Sequence, residues 1–408
     1  MTSQQEWEMT PLGMAADIVM GQSPDSKFYS AEGVGLPFLQ GCAEFGNRFP
    51  RHKLFCSQNR KLASVGSILF SVRAPVGKLN IADRDYIIGR GLASISGTAV
   101  ATRYLEHFLQ FEEGRLRVAS QGSTFEAINS TELAQWPVVH PKNQYEQTKI
   151  AEFLSTVDEA IEQTEKSIAK QQRIKSGLTQ DLLTRGIDEE GILRSENTWP
   201  IQKLCDIADI RVSNVDKKVN TTETPVRLCN YLDVYLNDYV TNEISFMHAT
   251  ATTTEIQRFS LQHGDVVITK DSETPDDIGV PAVVSDEIEH LVCGYHLCLI
   301  RPNTSDLNSV YLAKQLGSPK IAQYFAIHAN GSTRFGLPIE SIENLTLPFP
   351  SRSEQMMIAE ILSTADQCIN QTGMLLAELR LIKRGLMQDL LTGKVSAKPL
   401  LTEAEISV

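Results

Sequence analysis

The sequence predicts an α+β fold with an internal repeat: two globular parts of mixed, largely β structure, joined by two long coiled-coil helices. Three observations carry this. A 39-residue segment occurs twice at an offset of 208 with no gap. Both copies show the 4-3 apolar spacing of a two-stranded seam. The stretches before each copy hold short Val/Ile/Leu runs between Gly, Pro and Asn clusters, as strands do.

The repeat compares Glu146–Thr184 with Glu354–Thr392, where 22 of 39 positions are identical. It continues upstream more weakly. Gly122-Ser123-Thr124-Phe125 answers Gly331-Ser332-Thr333-Arg334-Phe335, and Gly66–Ser71 resembles Gly264–Thr269. Trp7 with Leu12 and Ala16-Asp17-Ile18 answers Trp199 with Leu204 and Ala208-Asp209-Ile210. The expected organisation is a globular part over 1–145, a helix over 146–186, a linker over 187–198, a second globular part over 199–352, a helix over 353–393 and a tail over 394–408.

In the first globular part, strands are expected at 65–72 and 86–95 and a helix at 99–111. In the second, strands are expected at 226–232, 265–269 and 291–301 and a helix at 309–325. The helix-pairing residues are Ile150, Leu154, Val157, Ile161, Leu178 and Leu182 in the first copy. The second supplies Ile358, Leu362, Ile369, Leu376, Leu386 and Leu390. Thr164/Thr372 and Lys175/Lys383 are polar at matching seam positions, where polar groups set register or else face solvent at the seam's edge. Gly186 and Gly393 stand where helix-ending glycines do.

The chain has 408 residues and a formal net charge of −12, with 42% hydrophobic and 22% charged residues, which excludes a disordered chain. Acidity alone argues against a nucleic-acid binder, but the charge is uneven. Residues 1–146 are net 0 and residues 199–352 net −7. Within the first part, 45–82 carries Arg48, Arg51, Lys53, Arg60, Lys61, Arg73 and Lys78 without one Asp or Glu. Phe45, Phe49, Phe55 and Phe70 are interleaved. Such a stretch suits a phosphate-facing surface. The second part has a weaker set: Arg211, Lys217, Lys218 and Arg227. The paired Gly-Ser-Thr loops add Ser123, Thr124, Ser332, Thr333 and Arg334, whose hydroxyls and guanidinium suit phosphates or base edges, although a turn or helix cap uses the same residue types.

No catalytic residue is expected. The sequence lacks G-x-x-x-x-G-K-[ST], G-x-G-x-x-G after a strand, the Asn/Asp-Pro-Pro-aromatic motif of amino-methyltransferases, a Pro-Asp…Glu-x-Lys nuclease arrangement, G-x-S-x-G and H-E-x-x-H. Cys293-x2-His296-x-Cys298 has no second ligand pair, so it reads as buried thiols in a core strand and no metal site is expected. Seven thinly spread cysteines fit a reducing compartment. MTSQQEWEMTPLG has no basic or apolar core of a secretion signal, and no run approaches 18 apolar residues. The expected location is the cytoplasm, with no membrane partner.

The two copies of EQ-x2-IAE-x-LST-x-D…QDLLT, the proline-hydrophobic segments before them, the GST loops, GSILFSVRAPVGKLN over 66–80 and Pro37-Phe38-Leu39-Gln40-Gly41 together resemble the specificity subunits of type I DNA restriction-modification systems. The resemblance covers nearly the whole chain. It implies two target recognition domains related by a pseudo-twofold and held apart by an antiparallel pair of helices. Each domain would read one half of a bipartite, asymmetric site in double-stranded DNA. The helices would dock two modification (methyltransferase) subunits, and restriction/translocase subunits would join them. S-adenosylmethionine, ATP and magnesium would belong to those partners, leaving no cofactor in this chain. A protein- or glycan-binding scaffold and an enzyme with an unrecognised site are the competing classes. Salt-insensitive binding without DNA affinity marks the first, and turnover by the isolated chain the second.

Overall fold

A computed structural model describes residues 6–58, 61–120, 127–196, 199–402 and 405. Arg60, Ser123 and Thr124 lie outside the described residues. The chain divides into two compact units, Met1–Lys166 with Gly373–Val408, and Ser167–Thr372. The cuts fall inside the two long helices, Gln144–Thr184 and Arg352–Leu390. Each unit therefore holds one globular part, the beginning of the helix that follows it and the end of the other helix.

In the first unit, Trp7–Pro11 pairs antiparallel with Pro137–Pro141, closing the globular part at the foot of its helix. A four-stranded sheet runs in the order Ala16–Met20, Leu92–Gly97, Ile68–Ser71, Leu79–Ile81. A second sheet of five short strands has the order Tyr29–Ser30, Leu54–Cys56, Leu36–Leu39, Tyr86–Ile88, Leu62–Ala63. The core joins Leu12, Phe70, Tyr104 and Phe108 to Ile150, Leu154 and Leu390. The helix Thr102–Phe111 lies in this core through its apolar face.

The second unit repeats the frame. Ile201–Lys203 pairs with Thr346–Pro348. A five-stranded sheet runs Ala208–Val212, Leu297–Pro302, Val266–Thr269, Pro281–Val284, Tyr239–Val240. A three-stranded sheet, Met247–Ala251, Thr224–Cys229, Leu291–Cys293, supports a separate core around Leu228, Phe259 and Val292.

The α+β class, the repeat and the long helices stand as expected, while several element boundaries do not. The run 86–95 is two strands in different sheets, Tyr86–Ile88 and Leu92–Gly97. Leu92 N–H donates to the Gly89 carbonyl (3.0 Å), and Gly91 lies so close to Gln40 that a Cβ would stand 2.7 Å from its carbonyl oxygen. Likewise 291–301 breaks at Gly294, where a Cβ would meet the Cys229 carbonyl at 2.6 Å. The run 226–232 stops at Cys229, because Asn230 caps a short helix, Tyr231–Tyr235, through a reciprocal bond with Asp233. The single helix expected at 309–325 is two, Ser309–Leu316 and Pro319–His328, with Ser318 capping and Pro319 opening the second. The long helices start two and one residues earlier than expected, at 144 and 352, and end at 184 and 390. Among the described residues, no helix is long and apolar enough to cross a membrane.

The seam residues divide into two kinds. Ile150, Leu154, Leu182, Ile358, Leu362 and Leu390 are buried where helix meets globular part. Val157, Ile161, Leu178, Ile369, Leu376 and Leu386 are half-buried along the pair. The polar seam positions are paired groups, not a solvated edge. Lys175 forms an ion pair with Asp366 in the second unit, and Lys383 pairs with Asp158 (2.6 Å) in the first. Both members of each pair sit one repeat from their counterparts. Gln171 Nε2 donates to Thr372 Oγ1 (3.2 Å), while Thr164 bonds back to the Ala160 carbonyl of its own helix. Cross-helix pairs of this kind oppose a slip of register.

Candidate nucleic-acid interface

Each globular part is seated on its helix by the same polar frame. Tyr104 Oη donates to the Val139 carbonyl (2.8 Å), and Tyr311 Oη to that of Pro348 (3.2 Å). Gln147 donates to the Pro141 carbonyl and accepts from Ala101 N–H, both at 2.8 Å. Gln355 donates to Pro350 (2.9 Å) and accepts from Asn308 N–H (2.8 Å). Each amide is buried with both its nitrogen and its oxygen bonded, so the two parts are held in matching orientations on their own helices.

The seat of the first unit contains a buried histidine. His107 Nε2 lies 3.1 Å from Ser155 Oγ, and Nδ1 lies 3.7 Å from Asp158 without a hydrogen-bond partner. Burial pushes the imidazole down to about 4, against the pull of Asp158. The unfolded chain, at about 6.5, then binds more protons in the interval between. The stability this group contributes is full above about pH 6.5 and is lost as pH falls towards 4, on the order of 1–3 kcal/mol. Thermal melts from pH 7 to 4.5 are expected to show a smaller acid loss for His107→Gln, which keeps a polar partner for Ser155. Parallel pH profiles for variant and parent would refute this.

The sequence-chosen cations separate in space. Arg51, Lys53, Lys61 and Arg73 are exposed on the first globular part. Arg48 instead lines a cavity with Glu106, Asp158, Glu162 and Lys383 at the helix seat, and Lys78 is paired with Glu113 (2.8 Å). In the second part, Arg211 is held by Asp209 and the Arg258 carbonyl, and Lys218 lies 3.7 Å from Asp216. Lys217 and Arg227 are exposed.

Ser332, Thr333 and Arg334 are exposed on a hairpin between Asn330–Gly331 and Phe335–Gly336. The turn requires glycine at 331: its φ is +147°, and a Cβ would stand 1.8 Å from the Arg334 carbonyl. Arg334 borders a cavity of about 380 Å³ with Tyr231, Tyr235, Asp271 and His296. The tyrosine rings are stacked at 5.3 Å. Sequence reading singled out Arg334 but not the tyrosines, since Tyr231 fell at the end of the strand expected over 226–232. Their four-residue spacing behind an Asn cap was the available signal.

Cys293 and Cys298 lie on strands of different sheets, and burial pushes both thiols up, Cys298 to about 12. His296 Nδ1 bonds Asp271 (2.8 Å). Among the described residues, no group of His, Cys, Asp and Glu is placed to hold a metal ion.

Two copies of one domain are also what family comparison finds. The profile of the type I restriction modification DNA specificity domain matches twice, over residues 4–171 and 196–381. The chain belongs to this family. Curated relatives in the type I restriction family include a putative MjaX specificity subunit of Methanocaldococcus jannaschii, 37% identical over 184 residues. That match covers 44% of this chain and 43% of the relative's length. The MjaVIII specificity subunit of the same organism is 22% identical over 312 residues, covering 73% of this chain and 71% of the relative. The type I restriction-modification S subunit from M. genitalium shares the fold, with a TM-score of 0.62 at 15% identity over 94% of this chain and 96% of that one. A chain from a structure of type I restriction-modification complex assembly and conformational transition gives 0.56 at 14% identity, covering 95% and 97%.

Proposed function

We propose that this chain is the sequence-reading, non-catalytic subunit of a type I restriction-modification assembly. Each globular part reads one half of a bipartite, asymmetric site in double-stranded DNA. The long helices set the spacing and dock two methyltransferase subunits, and restriction/translocase subunits complete the assembly. Methyl transfer from S-adenosylmethionine and the ATP- and magnesium-dependent steps belong to those partners, in the cytoplasm. The observation that carries this reading is the twofold match of a DNA specificity domain to two units built on one frame.

Charge suits a shared grip on DNA. The first part is net 0 with an acid-free basic stretch over 45–82, while the second is net −7, so the isolated chain is expected to bind DNA weakly and the assembly tightly. Modified-base sequencing of DNA from cells with and without the chain tests the proposal. Deletion is expected to remove methylation at one bipartite motif. An unchanged methylome in cells whose methyltransferase partners are active overturns it.

A further inference from the structure

The two frames can be superposed bond by bond just beyond their central strands. In the first unit, Val72 N–H donates to the Gly91 carbonyl (3.0 Å), and its carbonyl accepts from Ile128 N–H (3.0 Å). In the second, Lys270 N–H donates to the His296 carbonyl (2.8 Å), and its carbonyl accepts from Leu337 N–H (2.9 Å). The next residues are therefore equivalent: Arg73, bridged antiparallel to Ala127, and Asp271, paired antiparallel with Gly336. One position carries a cation in one unit and an anion in the other. A frame that keeps the same backbone bonds around either charge does not need that charge for folding.

The surroundings of Asp271 point outward to a ligand. It lies in the wall of the cavity that Tyr231, Tyr235, Glu273, His296 and Arg334 also line. Lys270 Nζ holds one carboxylate oxygen at 2.7 Å and His296 Nδ1 holds the other at 2.8 Å. Two fixed donors use half of the four acceptor directions of a carboxylate. The rest form a rigid acceptor beside a stacked aromatic pair, with Arg334 on the exposed hairpin tip to take a phosphate. Base edges offer a matching donor at adenine N6 and cytosine N4, whereas guanine O6 and N7 accept and are repelled by a carboxylate. The guanidinium of Arg73, exposed within an acid-free stretch, has the opposite match and suits guanine.

We propose that this position decides one base pair in each half-site: Asp271, in the Tyr231–Arg334 cavity, selects a base that presents an amino group, and Arg73 selects guanine. The inference rests on the DNA-recognition reading above. The acidity of the second globular part then becomes part of its specificity.

The test uses the chain assembled with its methyltransferase partners. Methylation rates are compared on duplexes carrying the cognate site and each single base-pair replacement. Asp271→Ala is expected to lower discrimination about tenfold or more at one position of one half-site, the loss of one good base contact. That position carries adenine or cytosine on the contacted strand. Arg73→Ala is expected to do the same at one guanine of the other half-site. Wild-type specificity in both variants overturns the proposal. So does a uniform loss on all sequences by Asp271→Ala that Asp271→Asn shares, which marks a structural role. A wild-type assembly that methylates no bipartite motif is a different outcome, since it removes the DNA-recognition reading itself.

Discussion

Glu354→Ala is expected to lower the first melting transition of the chain by roughly 10 °C. The carboxylate is 5% exposed and accepts three hydrogen bonds, from Ile187 N–H (3.0 Å), Arg194 Nη1 (2.6 Å) and Trp199 Nε1 (3.0 Å). It also sits in the first turn of the helix Arg352–Leu390, where a negative charge is favoured by the helix dipole. Removing it takes the acceptor from a buried backbone donor and from the Trp199 indole N–H, and strands a half-buried guanidinium. Breaking a buried, hydrogen-bonded ion pair from one side costs about 3–5 kcal/mol. For a cooperative unit of some 200 residues, each kcal/mol shifts the midpoint by roughly 2–4 °C. Glu354→Gln keeps an acceptor without the charge, so its midpoint is expected to fall between the other two. Circular dichroism melts decide the matter, and a midpoint within about 1 °C of the parent for the alanine variant refutes the clamp. Glu146 is the counterpart in the first unit, buried and accepting from Ser396 Oγ (2.6 Å) and Ala397 N–H (3.0 Å). The segment after each long helix is thus tied to a glutamate that opens the other.

That tie shows where sequence reading stops. Glu146 and Glu354 stand out in the repeat, but their partners do not, because a backbone N–H can be supplied by any residue. Ile187 lies one residue beyond Gly186, whereas Ala397 lies four beyond Gly393, so no common spacing betrays the role. The helices themselves were legible because a seam needs the same residue types at the same interval over its whole length. The broken strands at 86–95 and 291–301 were not. Gly91 and Gly294 are dictated by the approach of Gln40 and Cys229, which are distant in sequence. The basic stretch was visible as composition, but Arg48 and Lys78 turn towards acids of their own unit. Extended by two residues, the match of Gly66–Ser71 to Gly264–Thr269 already sets Arg73 opposite Asp271, and the backbone hydrogen bonds show the two positions to be equivalent.

The helix pair yields the other large effect. Insertion of four residues at equivalent points of Gln144–Thr184 and Arg352–Leu390 is expected to change the spacing of the recognised half-sites or to abolish recognition. Four residues add about 6 Å along a helix axis. A base pair rises about 3.4 Å, so the shift is at most about two base pairs, and less if the helices incline to the duplex. Four residues also add a short step to the 4-3 seam, a stutter that coiled coils absorb by local unwinding. The ion pairs Lys175–Asp366 and Lys383–Asp158 make the site of insertion matter. Insertion into both helices at residues 166/167 and 372/373 leaves each pair within its own block. Insertion into one helix alone keeps one pair in register only by offsetting the other by a turn, and the expected result is loss of modification at every site. On the proposed reading the globular parts choose the half-site sequences, so the double insertion is expected to leave them unchanged while the number of unread base pairs between them grows. A methylated motif with unaltered spacing in the double-insertion variant would show that the helices do not measure the distance.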